Sequence, residues 1–344
     1  MVYLGMDVHY LSTTICVLDP SQPEAQRHQT LRCATLEADL AEVLAPYRGR
    51  CKIVFEVCTQ AQWFASIVRP YAVEVQVANS SRIPWLFRDG RKNDRLDAQK
   101  LATLLYLNQV PRVHLPSPDV SGWRALIQYR RTLVTQRVRV RNRIHTILRA
   151  FGRRCPHRSC WTRVGLAWLR AQTFDAARDF VVQQLLEEQD RLLKQTTELE
   201  VRLDSIAREH PGVALLQTIP GVGPRSAEAI LAFTDEIKRF KNRKQFTCYF
   251  GMTPTEDSSG QMVRRGRISK QGPSVVRWLL IEAVRNAIRY CPEIRGWYQQ
   301  ICRGRKDRRK KAVVATGRKL LSISFAMLKT GEVFNAEYLP ACAA

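Results

Sequence analysis

Lys92-Asn93-Asp94-Arg95-Leu96-Asp97-Ala98 sets two carboxylates three residues apart at the mouth of a predicted helix. Residues at i and i+3 share one side of a helix, and Ala98, Leu101, Ala102, Leu104 and Leu105 continue an apolar helical pattern directly behind them. Two like charges held that close repel unless a cation lies between them. The pair is therefore a candidate ligand set for a hard divalent metal with oxygen ligands. A plain helix start also favours Asp, through capping and the helix dipole, and taken alone the pair fits that reading better. Asp7 near the N-terminus and Glu56 inside an apolar run change the balance.

Upstream of this stretch, residues 2–8 and 12–18 read as two strands joined by a short polar turn. Residues 51–57 form a third strand, apolar except for Lys52 and Glu56, and residues 73–77 a further one. Helices are expected around 37–47 and 60–70. Strands alternating with helices indicate an α/β domain with a mixed sheet, closed by Pro111, Pro116 and Pro118. Acids on strands near a sheet centre are costly to bury unpaired. A metal ion would partner Asp7 and Glu56; a salt bridge to arginine is the alternative, and the four acids together favour the metal.

The 344 residues carry a net charge of +24 with a pI near 10.1, which points to a polyanionic partner, nucleic acid before membrane. Residues 1–116 hold 13 Lys+Arg against 11 Asp+Glu, so +22 of that charge lies beyond them. A hydrophobic content of 45% is enough for real cores. No apolar run approaches a membrane span. Ten cysteines without a signal peptide are read as scattered thiols in a reducing cytosol. The stretch Cys155-Pro156-His157-Arg158-Ser159-Cys160 is loosely like a metal knuckle but lacks a second ligand pair at zinc spacing.

A long basic helix is expected over about 119–150, with Trp123, Leu126, Leu133, Val140, Ile144 and Leu148 on one side. Arg130, Arg131, Arg137, Arg139, Arg141 and Arg143 are spread around the rest, dense enough and poor enough in balancing acids to suggest phosphate contact. A second helix over about 175–208 carries Leu185, Leu192, Leu199 and Ile206 at seven-residue spacing, a coiled-coil signal that leaves open packing within one chain or between two.

Further on, Thr218-Ile219-Pro220-Gly221-Val222-Gly223 is a Gly-rich turn between two helices. It reads either as a helix-hairpin-helix phosphate contact or as a plain corner. Phe250-Gly251-Met252-Thr253-Pro254 leads to Ser258-Ser259-Gly260, followed by Arg264, Arg265, Arg267 and Lys270. A hydroxyl among small residues and facing cations is a candidate nucleophile for a phosphodiester, though Ser-Ser-Gly is also ordinary loop composition. Helices are expected over 273–290 and 312–329, flanking the basic run Arg303 to Lys311.

These motifs, in this order and with Gly5-Met6-Asp7-Val8-His9 and Phe55-Glu56 at the front, resemble the insertion-sequence transposases that join a Holliday-junction-resolvase-like domain to a C-terminal serine domain. This is the family whose recombinases are guided by a bridge RNA. The resemblance implies an RNase H-like α/β fold for residues 1–116, a basic helix and coiled-coil region over 117–210, and a mainly α C-terminal domain over 211–344. It implies that Asp7, Glu56, Asp94 and Asp97 hold Mg2+ or Mn2+ and that Ser259, or its neighbour Ser258, is the nucleophile. The expected activity is DNA recombination that excises and inserts a mobile element, with metal-dependent junction cleavage by water as the alternative. Expected partners are donor and target DNA, a guide RNA and further copies of the chain, as a dimer or tetramer, in a bacterial or archaeal cytosol. The expected nucleic-acid contacts are Arg130, Arg137, Arg141, Arg143, Gly221, Gly223, Arg264, Arg265, Arg267 and Lys270.

Overall fold

The computed structural model describes residues 1–79, 93–257, 262 and 264–336. They fall into two compact units, residues 1–118 and 119–344. The first contains strands β1 (Val2–Val8), β2 (Ser12–Leu18) and β3 (His28–Ala34), helix α1 (Glu37–Leu44), strand β4 (Cys51–Glu56), helix α2 (Ala61–Val68), strand β5 (Ala72–Ala78) and helix α3 (Asp94–Tyr106). The sheet order is β3-β2-β1-β4-β5. β1, β2 and β3 form an antiparallel meander, while β4 and β5 run parallel to β1. This mixed α/β sheet agrees with the RNase H-like expectation.

Side chains alternate across a strand, and here the alternation sorts the helices. Leu4, Met6, Ile53 and Phe55 pack with Leu40, Leu44, Phe64 and Val68 of α1 and α2. Val54 goes with Leu101, Leu104 and Leu105 of α3, and Cys16 and Leu18 with Ala98 and Ala102. β1 and β4 are covered on both faces, which is why they read as nearly continuous apolar runs.

Gly5 brings α3 close. A Cβ at that position would lie 2.1 Å from the Ala98 carbonyl oxygen and 2.3 Å from the Ala102 nitrogen. Asn93 caps the helix by accepting from the Arg95 backbone N–H at 3.0 Å. The first turn of α3, with both its acids, is thereby fixed over the end of β1.

The second unit opens with two long helices, α4 (Pro118–Ala150) and α6 (Ala176–Arg208), separated by the short α5 (Arg163–Arg170). Pairings of Arg130 with Glu200 and Arg141 with Gln189 make them antiparallel within one chain. The α6 seam has two seven-residue rows. One is Leu185, Leu192, Leu199 and Ile206; the other, Val182, Gln189, Thr196 and Leu203, is buried although half of it is polar. Then follow α7 (Pro211–Gln217), α8 (Pro224–Thr234), α9 (Arg243–Tyr249), the hairpin β6 (Pro254–Glu256) and β7 (Arg265–Ile268), α10 (Ser274–Tyr290), α11 (Pro292–Cys302) and α12 (Arg309–Thr330). Trp123, Ile127, Leu192, Leu199 and Leu203 share one core cluster with α8, α10 and α12. No described helix is long and apolar enough to cross a membrane.

Candidate metal centre and nucleic-acid surface

At the C-terminal end of β1, Asp7 Oδ2 lies 3.3 Å from His9 Nε2, which is 3.7 Å from Asp94 Oδ1. Among the described residues, Asp7, His9 and Asp94 form a group whose ligand-type atoms all lie within 4.8 Å of one another. Asp7 is largely covered, whereas His9 and Asp94 have side chains about half open to solvent. Burial pushes the Asp7 carboxyl above the usual carboxylate range; His9 pulls it back, and the charges of Asp94 and Asp97 raise it again. Asp97 thus stands close enough to be felt. Glu56 is the last residue of β4, just past the last pairing of that strand with β1, Met6 with Phe55. Asp7 and Glu56 accordingly follow on adjacent ends of parallel strands.

His9 received no role in the sequence reading. Its signal was the spacing: two residues beyond Asp7 at a strand end, a side chain returns to the same face. The donor set of carboxylates with one imidazole fits a hard or borderline divalent ion, and a cation there would offset both the burial that chiefly raises the Asp7 pKa and the lesser push from Asp94 and Asp97.

Ser258, Ser259 and Gly260 lie outside the described residues, in the stretch that joins β6 to β7, and so does Lys92 upstream of α3. The hairpin's root is well defined: the Ser269 N–H donates to the Thr253 oxygen at 2.9 Å, and the Lys270 N–H to the Gly251 oxygen at 3.2 Å. Arg277 Nη1 ties it to α10 by donating to the carbonyls of Phe250, Gln271 and Gly272. Arg267 and Lys270 are exposed, Arg264 donates to the Met262 sulfur, and Arg265 is the strand partner of Glu256.

The other expected phosphate contacts divide by environment. Arg143 is exposed and Arg137 half-buried. Arg130 donates to Glu200 at 2.7 Å, and Arg141 donates to buried Gln189 at 3.2 Å with its guanidinium 4.6 Å from the Trp161 ring centre. Both are built into the helical hairpin. In the turn between α7 and α8, Gly221 adopts φ +86°, and a Cβ there would lie 2.4 Å from the Ala287 nitrogen, so this glycine packs against α10. Gly223 faces open space.

A family model of IS110-type DEDD transposases matches residues 4–152, and the model described as "Transposase IS116/IS110/IS902 family" matches residues 213–299. The chain carries two domains of the IS110/IS116 transposases. Among similar proteins, one of Pseudomonas aeruginosa named "Probable family 20 transposase" is 25% identical over 77% of this chain and 79% of its own. The "Transposase for insertion sequence element IS1328" of Yersinia enterocolitica is 25% identical over 83% and 86%. The "Transposase for insertion sequence element IS1111A" of Coxiella burnetii is 24% identical over 87% and 83%. Transposases of this family cleave DNA and transfer strands. The DEDD match covers β1, β4 and α3, the elements that carry the candidate metal centre, and a DEDD domain implies dependence on a divalent metal.

Proposed function

We propose that the chain is an RNA-guided recombinase that excises and inserts its own element through a serine-linked DNA intermediate. The observation that carries the reading is the convergence of Asp7, His9 and Asp94, beside Asp97 and Glu56, in the unit matching the DEDD transposases. Asp7, Asp94 and His9 would hold the ion, Mg2+ or Mn2+, with Asp97 and Glu56 as further carboxylates. Such an ion supplies charge stabilisation to the phosphoryl oxygens of the scissile DNA.

The Ser259 oxygen attacks phosphorus, the bond from phosphorus to the departing strand's oxygen breaks, and the serine proton ends on that oxygen. One phosphoester bond forms as another is lost, so the reverse attack by a new strand hydroxyl rejoins DNA without ATP. Arg137, Arg143, Arg264, Arg265, Arg267 and Lys270, with the open turn at Gly223, contact the backbones of donor DNA, target DNA and guide RNA. Base pairing to the RNA chooses sequence, as in other RNA-guided systems. Copies of the chain assemble as a dimer or tetramer and act in the cytosol, where the DNA is.

The rival is hydrolysis by water at the same acids, since the metal-type cluster lies wholly within residues 1–118. A denaturing gel separates the two. Incubated with divalent metal, guide RNA and labelled element-end DNA, the wild type forms a covalent protein–DNA band that Ser259→Ala loses while still binding DNA. Metal-dependent cutting without such a band assigns the reaction to water; persistence of the band in Ser259→Ala moves the nucleophile to Ser258 or elsewhere.

A further inference from the structure

One face of α4 remains unassigned once Arg130 and Arg141 are engaged in the hairpin. Gln128, Arg131, Thr132, Thr135, Gln136 and Arg139 recur at three- and four-residue spacing, so they share a side of the helix. They line a groove of about 420 Å³ whose opposite wall is residues 273–275, the start of α10. Every side chain contributed by α4 is polar or cationic; none is acidic and none aromatic.

The cations there are positioned in advance. Arg131 Nη1 donates to Ser274 Oγ at 2.7 Å, and its guanidinium lies 6.0 Å from the Trp278 ring centre. Arg139 is exposed at the far end of the row. Thr132 and Thr135 turn their hydroxyl protons back to the carbonyls of Gln128 and Arg131, leaving the guanidiniums and the glutamine amides as the groove's donors. Helix α10 starts on this wall with no side-chain cap and spans 17 residues, so its first N–H groups and its dipole add positive potential. Burial, and then the neighbouring Arg131, depress the pKa of Arg277; positive groups are crowded here without a carboxylate between them, an arrangement that a bound phosphate relieves.

We infer that this groove is a seat for the backbone of duplex DNA, gripping one strand through Arg131 and Arg139 without reading its bases. The row from residue 128 to 139 covers about 17 Å of helix, and a DNA strand presents a phosphate roughly every 3.4 Å of axis, so several phosphates pass along it. The lack of aromatic lining argues against unpaired RNA, which is commonly held by stacking its bases on rings. In sequence, the groove's α10 wall follows directly on the root of the β6–β7 hairpin. The inference rests on the proposed action on DNA.

The test compares full-length wild type with Arg139→Gln and Arg131→Gln/Arg139→Gln, using Lys194→Gln/Arg202→Gln on exposed positions of α6 as the charge-matched control. Affinity for a duplex DNA without element sequence is measured across a salt series, and for a single-stranded RNA in parallel. The groove double variant is expected to bind duplex at least tenfold more weakly than the control, with the slope of log affinity against log salt less steep by about 2, at roughly 0.9 per lost contact. Arg139→Gln alone, at an exposed position that leaves the Arg131–Ser274 contact intact, is expected to flatten it by about 1. Groove variants that match the control, with wild-type binding salt-dependent, overturn the groove alone; so does a larger loss on RNA than on duplex. A wild type that binds no DNA at any salt overturns the proposed function itself.

Discussion

Gly5 on β1 faces α3 so closely that any Cβ would stand 2.1 Å from the carbonyl oxygen of Ala98. The same helix carries Asp94 and Asp97 in its first turn, and the same strand carries Asp7. A hydrogen atom on Gly5 therefore sets the distance between the two halves of the metal centre. Gly5→Ala must push α3 away, since the obstructing atoms are backbone. It is expected to cost about 1–3 kcal/mol of stability and to weaken divalent-metal binding more than a cost-matched core substitution such as Leu40→Val. Metal titrations of the two folded variants check this, and equal affinities would show that the spacing does not matter.

Arg141 and Gln189 join α4 to α6 from inside the hairpin. Burial lowers the Arg141 pKa, and Gln189 is 3% exposed. Removing one partner strands a buried polar group, at about 1–3 kcal/mol, whereas replacing both with apolar residues is nearly neutral. Arg141→Leu and Gln189→Leu are each expected to lower the melting temperature, and the double variant to recover most of the loss. The salt dependence of DNA binding should stay that of the wild type in Arg141→Leu; a flattened slope would make Arg141 a phosphate contact.

Glu228 is 1% exposed on α8, against Arg225, with Asp204, Arg130 and Trp123 around it. Burial raises its pKa to about 7, only partly opposed by Arg225 and Arg130. Between the unfolded value near 4.5 and about 7 the folded state keeps a proton that the unfolded state has lost. Stability is thus fully present below that window, falls as pH rises through it, and levels off above it. The effect is roughly 3 kcal/mol at most, at about 1.4 kcal/mol per pH unit. Melting curves at pH 5 and pH 8 should differ more for wild type than for Glu228→Gln; an equal difference would remove Glu228 as the cause.

Strands over 2–8, 12–18 and 51–57, the last observed as Cys51–Glu56, were legible because they are apolar and bounded by turn residues, and the two carboxylates of α3 were legible from their spacing. β3 was not. His28-Gln29-Thr30-Leu31-Arg32-Cys33-Ala34 pairs on one side only, at the edge of the sheet, and its polar composition hides it. One row of the α6 seam was readable from its leucines; the other holds Gln189 and Thr196, so nothing in that row signals that Arg141 turns inward to meet it. α11 drew no expectation: it is eleven residues long and lies between the helix expected over 273–290 and the basic run from Arg303, with Pro292 at its first position. Strand spacing puts His9 on the side of Asp7, but its meeting with Asp94 depends on the three-dimensional approach of α3, which that spacing does not reveal.

The end of β1 and the start of α3 together form the proposed seat of a divalent cation. Calorimetric titration of the metal-free chain with Mn2+ and with Mg2+ reads that seat without the complication of DNA or RNA. One site per chain is expected, lost or weakened at least tenfold in Asp7→Asn and Asp94→Asn with the fold intact, and a His9→Ala loss larger for Mn2+ than for Mg2+, since imidazole suits the transition ion better. A wild type that binds neither ion, or Asp7→Asn and Asp94→Asn variants that bind as well as wild type, would contradict it.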